Sequence, residues 1–287
     1  MMSEQKSTIR TSLLTVVAMF AFAANSVLCR LALVDGSIDA VSFTSVRLVA
    51  GAIALGLIVW YRGGTIAGVT TDWRTVLALF VYMIFFSFAY LSLAAGTGAL
   101  LLFGAVQLTM FMVARREGEA FSVVSWVGFV VAFSGLIYLV LPGITAPDPF
   151  SALLMVVAGI AWGFYSLLGR NVVQPWLATA KNFAYSLPMV IGASLLFWQD
   201  FNMSSQGLIL GIVSGAVTSG CGYVVWYAAL SGLTATRAAT VQLSVPIIAA
   251  CAGMLLLSEP ASIRLLLAST ATIGGITIVL MQRARLA

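Results

Sequence analysis

Long apolar stretches, each separated from the next by a few polar, glycine or proline residues, recur along the whole chain. An α-helix needs about twenty such residues to cross the roughly 30 Å hydrocarbon layer of a bilayer. The stretches are continuously apolar and do not alternate with period two, so helices are favoured over the strands of a β-barrel. We predict ten membrane-spanning helices, at residues 12–34, 40–61, 73–95, 97–114, 121–141, 149–170, 177–198, 206–230, 233–257 and 261–282.

Composition supports a membrane protein. Apolar residues make up 61% of the 287 positions and charged residues only 8%, and the mean hydropathy is +1.08. A soluble domain carries roughly 25% charged residues. The first apolar stretch, 12–34, is longer than the 7–15 residues of a signal-peptide core, so we interpret it as a retained helix. The fold class predicted is an all-α integral membrane protein.

The basic residues predict the orientation of the chain. Ten spans place both termini on one side, and that side and its helix ends hold eleven of the fourteen basic residues: Lys6, Arg10, Arg62, Arg74, Arg115, Arg116, Arg170, Lys181, Arg237, Arg283 and Arg285. Arg30 and Arg264 lie near the opposite helix ends, and Arg47 lies within a span. The positive-inside rule therefore predicts that both termini are cytoplasmic. We expect this multi-pass protein to lie in a bacterial-type inner (plasma) membrane. Because the basic residues are scattered singly, the net charge of +5 does not indicate nucleic-acid binding.

Catalytic chemistry finds little support. The chain has no histidine, which excludes histidine-based triads and histidine zinc sites. The nine acidic residues all fall in the tail, in loops or at span ends. We therefore predict that the protein is not an enzyme and uses no cofactor or metal, and that it lacks a carboxylate-based proton relay. This favours facilitated diffusion.

The two halves of the sequence resemble each other. Residues 13–30 and 153–170 share nine of eighteen aligned positions, and Gln107 and Glu119 recur as Gln242 and Glu259. Because each half holds five helices, an odd number, the second half must be inverted relative to the first, as in many secondary transporters. The predicted organisation is a tail at 1–11, a first five-helix repeat at 12–142, a linker at 143–148, a second repeat at 149–282 and a tail at 283–287.

The second half carries a family resemblance. The segments 226–230 and 234–239, then Val-Gln-Leu-Ser-Val-Pro at 241–246 and Ser-Glu-Pro at 258–260, resemble an EamA repeat, and the first half resembles it more weakly. The chain is thus similar to ten-helix members of the drug/metabolite transporter superfamily, and most similar to the YddG-type exporters of aromatic and other amino acids. This resemblance implies export of amino acids. Leu187 stands near the position equivalent to Arg47, so the repeat does not duplicate that arginine.

Neutral polar and aromatic residues within the spans are the candidate substrate ligands. We predict that Trp162 lines a pocket, because it lies in mid-span, away from the interfacial belts where tryptophan is usual. Tyr90, Trp226 and Tyr227 lie nearer helix ends, where belt positions are expected. The predicted substrate-binding set is Asn25, Tyr82, Gln107, Trp162, Tyr165, Tyr223, Gln242 and Ser244, with Pro188 and Pro246 as hinge candidates.

Arg47 leaves two alternatives open. Its side chain either snorkels to the outer headgroups or pairs with Asp35 or Asp39, or it contacts a substrate carboxylate. Glu119 and Glu259 are interpreted as helix caps, and Arg30 and Arg170 as interface anchors.

The expected partners are a small-molecule substrate, an amino acid or another small apolar metabolite or drug, and the lipid bilayer. Phosphorylated substrates are disfavoured because only one arginine lies within a span. For the oligomeric state, both a monomer and a weak oligomer remain open.

Overall fold

The computed structural model describes residues 2–67, 70, 72–143, 145–169, 172–233 and 235–286. For residues 2–8, 235, 236 and 283–286 the description covers the backbone alone. Arg170, and the side chains of Lys6, Arg283 and Arg285, therefore lie outside what is described.

Within the described residues the chain forms ten helices, as predicted. Eight of them contain apolar segments of at least eighteen residues, long enough to span a membrane, α3 is a shorter apolar helix of 17 residues, and α7 is more polar. The helices are α1 (Met2–Val34), α2 (Ala40–Tyr61), α3 (Trp73–Ala89), α4 (Ala95–Arg116), α5 (Val123–Val140), α6 (Pro149–Gly169), α7 (Pro175–Leu196), α8 (Ser205–Leu230), α9 (Ala235–Gln242 and Ser244–Leu257) and α10 (Ile263–Leu286).

Two helices are interrupted where the sequence pattern predicts continuous spans. Residues Ser214–Cys221 of α8 form a π-helical segment with five-residue hydrogen-bond spacing. Helix α9 breaks at Leu243, three residues before Pro246. Proline has no N–H to donate to the carbonyl of the residue four positions earlier, here Gln242, so the regular ladder cannot continue through this point.

The packing of the helices follows a pseudo-twofold pattern that relates each helix to the one five places later. The equivalent pairs α2–α7, α4–α9 and α5–α10 contact each other directly. The contact of α3 with α6 recurs as that of α8 with α1, α4–α6 recurs as α9–α1, and α2–α8 recurs as α7–α3. Since the halves hold five helices each, equivalent helices run in opposite directions. This is the inverted five-helix repeat expected from the sequence.

The outward surfaces of the helices are apolar. Large side chains such as Phe20, Ile53, Leu57, Leu195 and Leu255 are more than half exposed. In water such a surface would be strongly unfavourable, whereas lipid solvates it.

The aspartates at helix starts act as caps. Asp39 accepts hydrogen bonds from the backbone N–H groups of Val41 and Ser42 at the start of α2, and Asp72 accepts one from Arg74 at the start of α3. Ser151 donates its backbone N–H to Asp148 at the start of α6, and this bond lowers the pKa of the Asp148 carboxyl. These three aspartates therefore lie at the membrane boundaries, where the helix N-termini need hydrogen-bond acceptors.

The bundle has two faces that differ in the loops they carry. The face with the chain termini, called here the terminal face, also carries the α2–α3, α4–α5, α6–α7 and α8–α9 connections. The opposite face carries the α1–α2, α3–α4, α5–α6, α7–α8 and α9–α10 connections and is called here the closed face.

Candidate functional site

A cavity of about 610 Å³ runs from the middle of the bundle to the terminal face. Its deep end is formed by Trp162, Tyr223 and Gln107, and its mouth by Glu117 and Leu233, which lie at the α4–α5 and α8–α9 connections. Walls come from α4, α5, α6, α8, α9 and α10, so both halves of the chain contribute. Ligand pockets commonly have volumes of roughly 300–1,000 Å³, so this cavity suits a small molecule.

Aromatic rings form the floor of the cavity. Trp162 is tilted against Tyr223, with 5.1 Å between the ring centroids. Phe22 makes T-shaped contacts with Trp162, Tyr223 and Trp226, with centroid distances of 6.4, 6.0 and 5.8 Å. Phe22 and Trp162 are equivalent positions in the two repeats, so the floor lies near the pseudo-twofold axis. Tyr165, one helical turn beyond Trp162, stacks on it at 5.3 Å and supports it from behind; it does not line the cavity.

Three aromatic residues differ from the sequence-based prediction of belt positions. Trp226 and Tyr227 line the cavity, and Tyr90 is fully buried, donating its hydroxyl to the carbonyl of Ala95. Distance from a helix end was a poor guide here, because these rings lie on the inward side of their helices. The rotation of each helix was not readable from such uniformly apolar segments.

The two repeat-equivalent amides both reach the cavity wall. Gln107 lines the cavity and also donates its Nε2 to the carbonyl of Ala239 on α9, 3.2 Å away. Gln242 lines the cavity at the break in α9, where Pro246 leaves its carbonyl without the usual helical donor. Pro246 itself is buried. Ser244, by contrast, donates to the carbonyl of Val241 in its own helix and does not line the cavity.

A buried polar network lies beyond the aromatic floor. Asn25 accepts hydrogen bonds at its Oδ1 from Ser214 at 2.6 Å and Thr218 at 3.2 Å, both in the π-helical segment of α8. Its Nδ2 therefore turns toward the hydroxyl of Tyr82, 3.4 Å away. Asn25 and Tyr82 thus belong to this network and to a small neighbouring pocket, and the main cavity does not reach them.

Arg47 joins the same network and does not snorkel. Its side chain is 0% exposed; Nε donates to Ser219 Oγ and Nη2 to Tyr82 Oη, each at 3.0 Å. The guanidinium lies 5.4 Å from the centroid of Tyr82 and 5.0 Å from that of Phe86. The expectation of headgroup contact or pairing with Asp35 or Asp39 is therefore wrong, because the side chain turns inward between α3 and α8.

Small residues permit the close packing that carries this network. A Cβ at Gly215 would lie 2.2 Å from the backbone carbonyl of Arg47, so only glycine lets α8 approach α2 this closely. Gly159 similarly faces the carbonyl of Leu102 on α4. Small residues at such positions are typical of close helix–helix contacts in membrane proteins.

Of the two hinge candidates, only Pro246 lies at a break. Helix α7 runs without interruption through Pro188, which is exposed on the outer side of the bundle. Sequence reasoning missed Ser214, Thr218 and Ser219. The signal was present as three hydroxyl residues and two glycines within residues 214–220, in the middle of an apolar span.

The closed face is held by contacts between connections. Arg30 forms an ion pair with Glu259 at 3.4 Å and donates Nη1 to the carbonyls of Tyr90 and Leu91, at 3.0 and 2.8 Å. Glu259 also accepts the backbone N–H of Ala95 at the start of α4. Glu259 is thus a cap, as predicted, but it caps a helix of the other repeat, and Arg30 is its partner. We call Arg30, Glu259 and the α3–α4 turn the closed-face latch.

Further contacts seal the same face. The backbone N–H of Asp39 donates to the carbonyl of Asn202, and that of Ser204 to the carbonyl of Ser37, which ties the α1–α2 connection to the α7–α8 connection. Arg264 donates to the carbonyl of Leu141 at the end of α5. The cavity is thus accessible from one face of the bundle and sealed at the other.

A ten-helix membrane bundle built from inverted repeats, with a central cavity open to one face, is the architecture of a membrane transporter. The EamA-like transporter family matches residues 149–281, which cover α6 to α10. An uncharacterized protein of Pseudomonas aeruginosa is 48% identical over 274 residues, covering 96% of each chain. The chain belongs to the EamA-like transporter family, within the drug/metabolite transporter superfamily.

More distant relatives agree with this assignment. Two uncharacterized transporters of Archaeoglobus fulgidus are each 24% identical, one covering 93% of this chain and 96% of its own length, the other 71% and 74%. A crystal structure at 16% identity superposes with a TM-score of 0.68 over 94% of this chain and 97% of that chain, which supports the fold.

Proposed function

We propose that this transporter exports amino acids, aromatic and other apolar ones, across the bacterial inner membrane by alternating access. The observation that carries the proposal is the aromatic-floored cavity of about 610 Å³, accessible from the terminal face and sealed at the other. With the terminal face cytoplasmic, as its basic residues predict, this conformation is the inward-open one.

The chemistry of the cavity suits a zwitterion with an apolar side chain. Rings such as Phe111, Phe129 and Trp226 offer apolar contact area. The ammonium group can donate hydrogen bonds to the side-chain oxygen of Gln107 and to the backbone carbonyl of Gln242. The faces of the floor aromatics provide cation–π contacts. Phosphate-bearing substrates remain disfavoured, because the described cavity walls hold no lysine or arginine.

The transport step follows from the contacts of the two faces. Opening of the closed face requires that the latch between Arg30 and Glu259 separate, while the walls of the cavity approach each other at the terminal face. Rocking of one repeat against the other accomplishes both, and the break of α9 at Leu243 supplies a place where backbone angles change. Without a mid-membrane carboxylate, the substrate gradient drives the cycle.

A second candidate function is export of a small apolar drug or metabolite. It is favoured by the cavity walls, in which apolar side chains outnumber polar ones. An amino-acid exporter recognises the charged ammonium and carboxylate groups of its substrate, whereas an exporter of apolar drugs or metabolites does not require them.

Uptake of labelled phenylalanine and leucine into proteoliposomes tests the proposal. We expect uptake faster than in protein-free liposomes and loss of most of it in Trp162→Ala and Gln242→Ala. Trp198→Ala, a matched change at an exposed tryptophan outside the bundle core, should transport normally. If no labelled amino acid enters faster than in protein-free liposomes, the drug or metabolite function takes its place. Uphill accumulation driven by a pH gradient would contradict facilitated diffusion.

A further inference from the structure

Arg47 is a buried cation without a counterion among the described residues. Its two hydrogen-bond partners, Ser219 and Tyr82, are neutral, and no described carboxylate lies within ion-pairing distance. Nη1, with two N–H groups, has no hydrogen-bond partner. Arginine does not shed its proton to escape such a site.

This position is costly for the fold. A buried charge that lacks a partner is among the least favourable groups in a protein interior, and more so at about 10 Å depth along a membrane helix. An apolar side chain of similar length would remove that cost. The arginine therefore needs a functional reason.

A small pocket lies beside Arg47, which contacts two of the residues that line the pocket but does not itself line it. It is bounded by Tyr82 and Phe86, which contact the guanidinium, and by Trp162 and Tyr223, which also form the floor of the main cavity. Its polar lining consists of groups that can donate hydrogen bonds: the amide N–H of Asn25 and the hydroxyls of Ser26, Tyr82 and Tyr223. The Ser26 and Tyr223 hydroxyls are buried there, beside the hydroxyls of Tyr90 and Tyr82 respectively.

The orientation of Asn25 reinforces the donor character of the pocket. Because two hydroxyls from the π-helical segment of α8 occupy its Oδ1, its NH₂ faces the pocket. One uncompensated positive charge and several neutral donors are the environment that a single carboxylate requires.

We propose that this pocket binds the carboxylate of the substrate, with Arg47 as its counterion. The inference rests on the proposed function and adds a requirement to it: the substrate is a monoanionic carboxylate or a zwitterion. The pocket now has a volume of about 10 Å³, room for about one water molecule. The carboxylate therefore reaches the donors when the rings of Trp162 and Tyr223 move apart, which ties its binding to the conformational change.

The test compares ligands that differ only at one charged group. Thermal unfolding of the purified full-length protein in detergent is measured with phenylalanine, N-acetylphenylalanine and phenylalaninamide. We expect the two carboxylates to raise the melting temperature, since a ligand that binds the folded state stabilises it. Phenylalaninamide should bind at least tenfold more weakly.

Three variants assign the effect to Arg47. Arg47→Met should lose the discrimination between carboxylate and amide while melting at the same or a higher temperature than the wild type. Arg47→Lys should retain part of the discrimination. Arg62→Met, the same change at the exposed end of the same helix, should leave it intact.

The outcomes separate this inference from the proposed function. Equal stabilisation by phenylalanine and phenylalaninamide in the wild type would overturn the carboxylate site, even if Arg47→Met does not fold. Chloride is tested with methanesulfonate as the control anion. If chloride stabilises the protein and abolishes the effect of the carboxylates, the site binds an inorganic anion and the inference is also overturned. Carboxylate-specific stabilisation without any amino-acid transport would leave this site standing and refute only the proposed substrate.

Discussion

The closed-face latch is the contact whose loss should change the conformational equilibrium most directly. Glu259→Gln removes the ion pair with Arg30. The side chain of Arg30 is only 15% exposed and that of Glu259 only 13%. An exposed pair contributes about 0–1 kcal/mol, and breaking a fully buried one costs about 3–5 kcal/mol. Arg30 keeps its two carbonyl acceptors, and glutamine can still accept from Ala95. We therefore expect a loss of about 1–2 kcal/mol, a 5- to 30-fold shift toward opening of the closed face.

Labelling of Cys29 measures that shift. Cys29 is fully buried next to Arg30, so a bulky charged thiol reagent reaches it only when the closed face opens. In a background with Cys221→Ser and Cys251→Ser, which removes the two exposed cysteines, Glu259→Gln should accelerate labelling by 5- to 30-fold. Asp148→Asn, a carboxylate-to-amide change at an exposed cap on the same face, should leave the rate unchanged. Equal labelling of Glu259→Gln and the parent would refute the reasoning that the latch holds this face closed.

Three further outcomes follow from the geometry. Trp162→Ala should weaken phenylalanine binding about tenfold or more, because the floor loses its central ring, and a fluorescence titration measures this. Gly215→Ala should lower the melting temperature by the equivalent of about 1–3 kcal/mol, since the new methyl group would overlap the α2 backbone, whereas Gly56→Ala, which faces open space, should not. Pro246→Ala restores a backbone donor at the break of α9 and should slow uptake in proteoliposomes, whereas Pro188→Ala on the outer side of unbroken α7 should leave uptake within twofold of the wild type.

The fold was largely predictable because lipid imposes one requirement on every span. Continuous apolar stretches of the right length identified the helices, and recurrence of residues 13–30 at 153–170 identified the repeat. The inverted arrangement then followed from the odd number of helices in each half. The packing pattern confirms both expectations.

The site was less predictable because it depends on how each helix is rotated. A soluble helix reveals its inner side by polar residues on the outer one, but a helix in lipid is apolar all round. Trp162, Gln107, Gln242 and Tyr223, which the sequence predicted as substrate ligands, line the cavity. They could be singled out because polar or aromatic groups in mid-span need partners. Trp226 carries no such signal, and its position beside the floor depends on the packing of α8 against α1.

The direction of the Arg47 side chain was also not predictable from the sequence. Its place in the second span suggested contact with the headgroups, since a long side chain near a helix end can reach them. The structure instead turns it inward, toward Tyr82 on α3 and Ser219 on α8. That pairing requires the glycine contact between α2 and α8 and could not be read from either helix alone.

Entrance counterflow of phenylalanine tests the central claim most directly. Proteoliposomes preloaded with unlabelled phenylalanine are diluted into a trace of the labelled form, and internal label is followed over time. A carrier with one cavity that alternates between faces predicts a transient accumulation of label above its equilibrium value, abolished in Trp162→Ala. A time course that rises no higher than equilibrium, or that matches protein-free liposomes, would contradict the account.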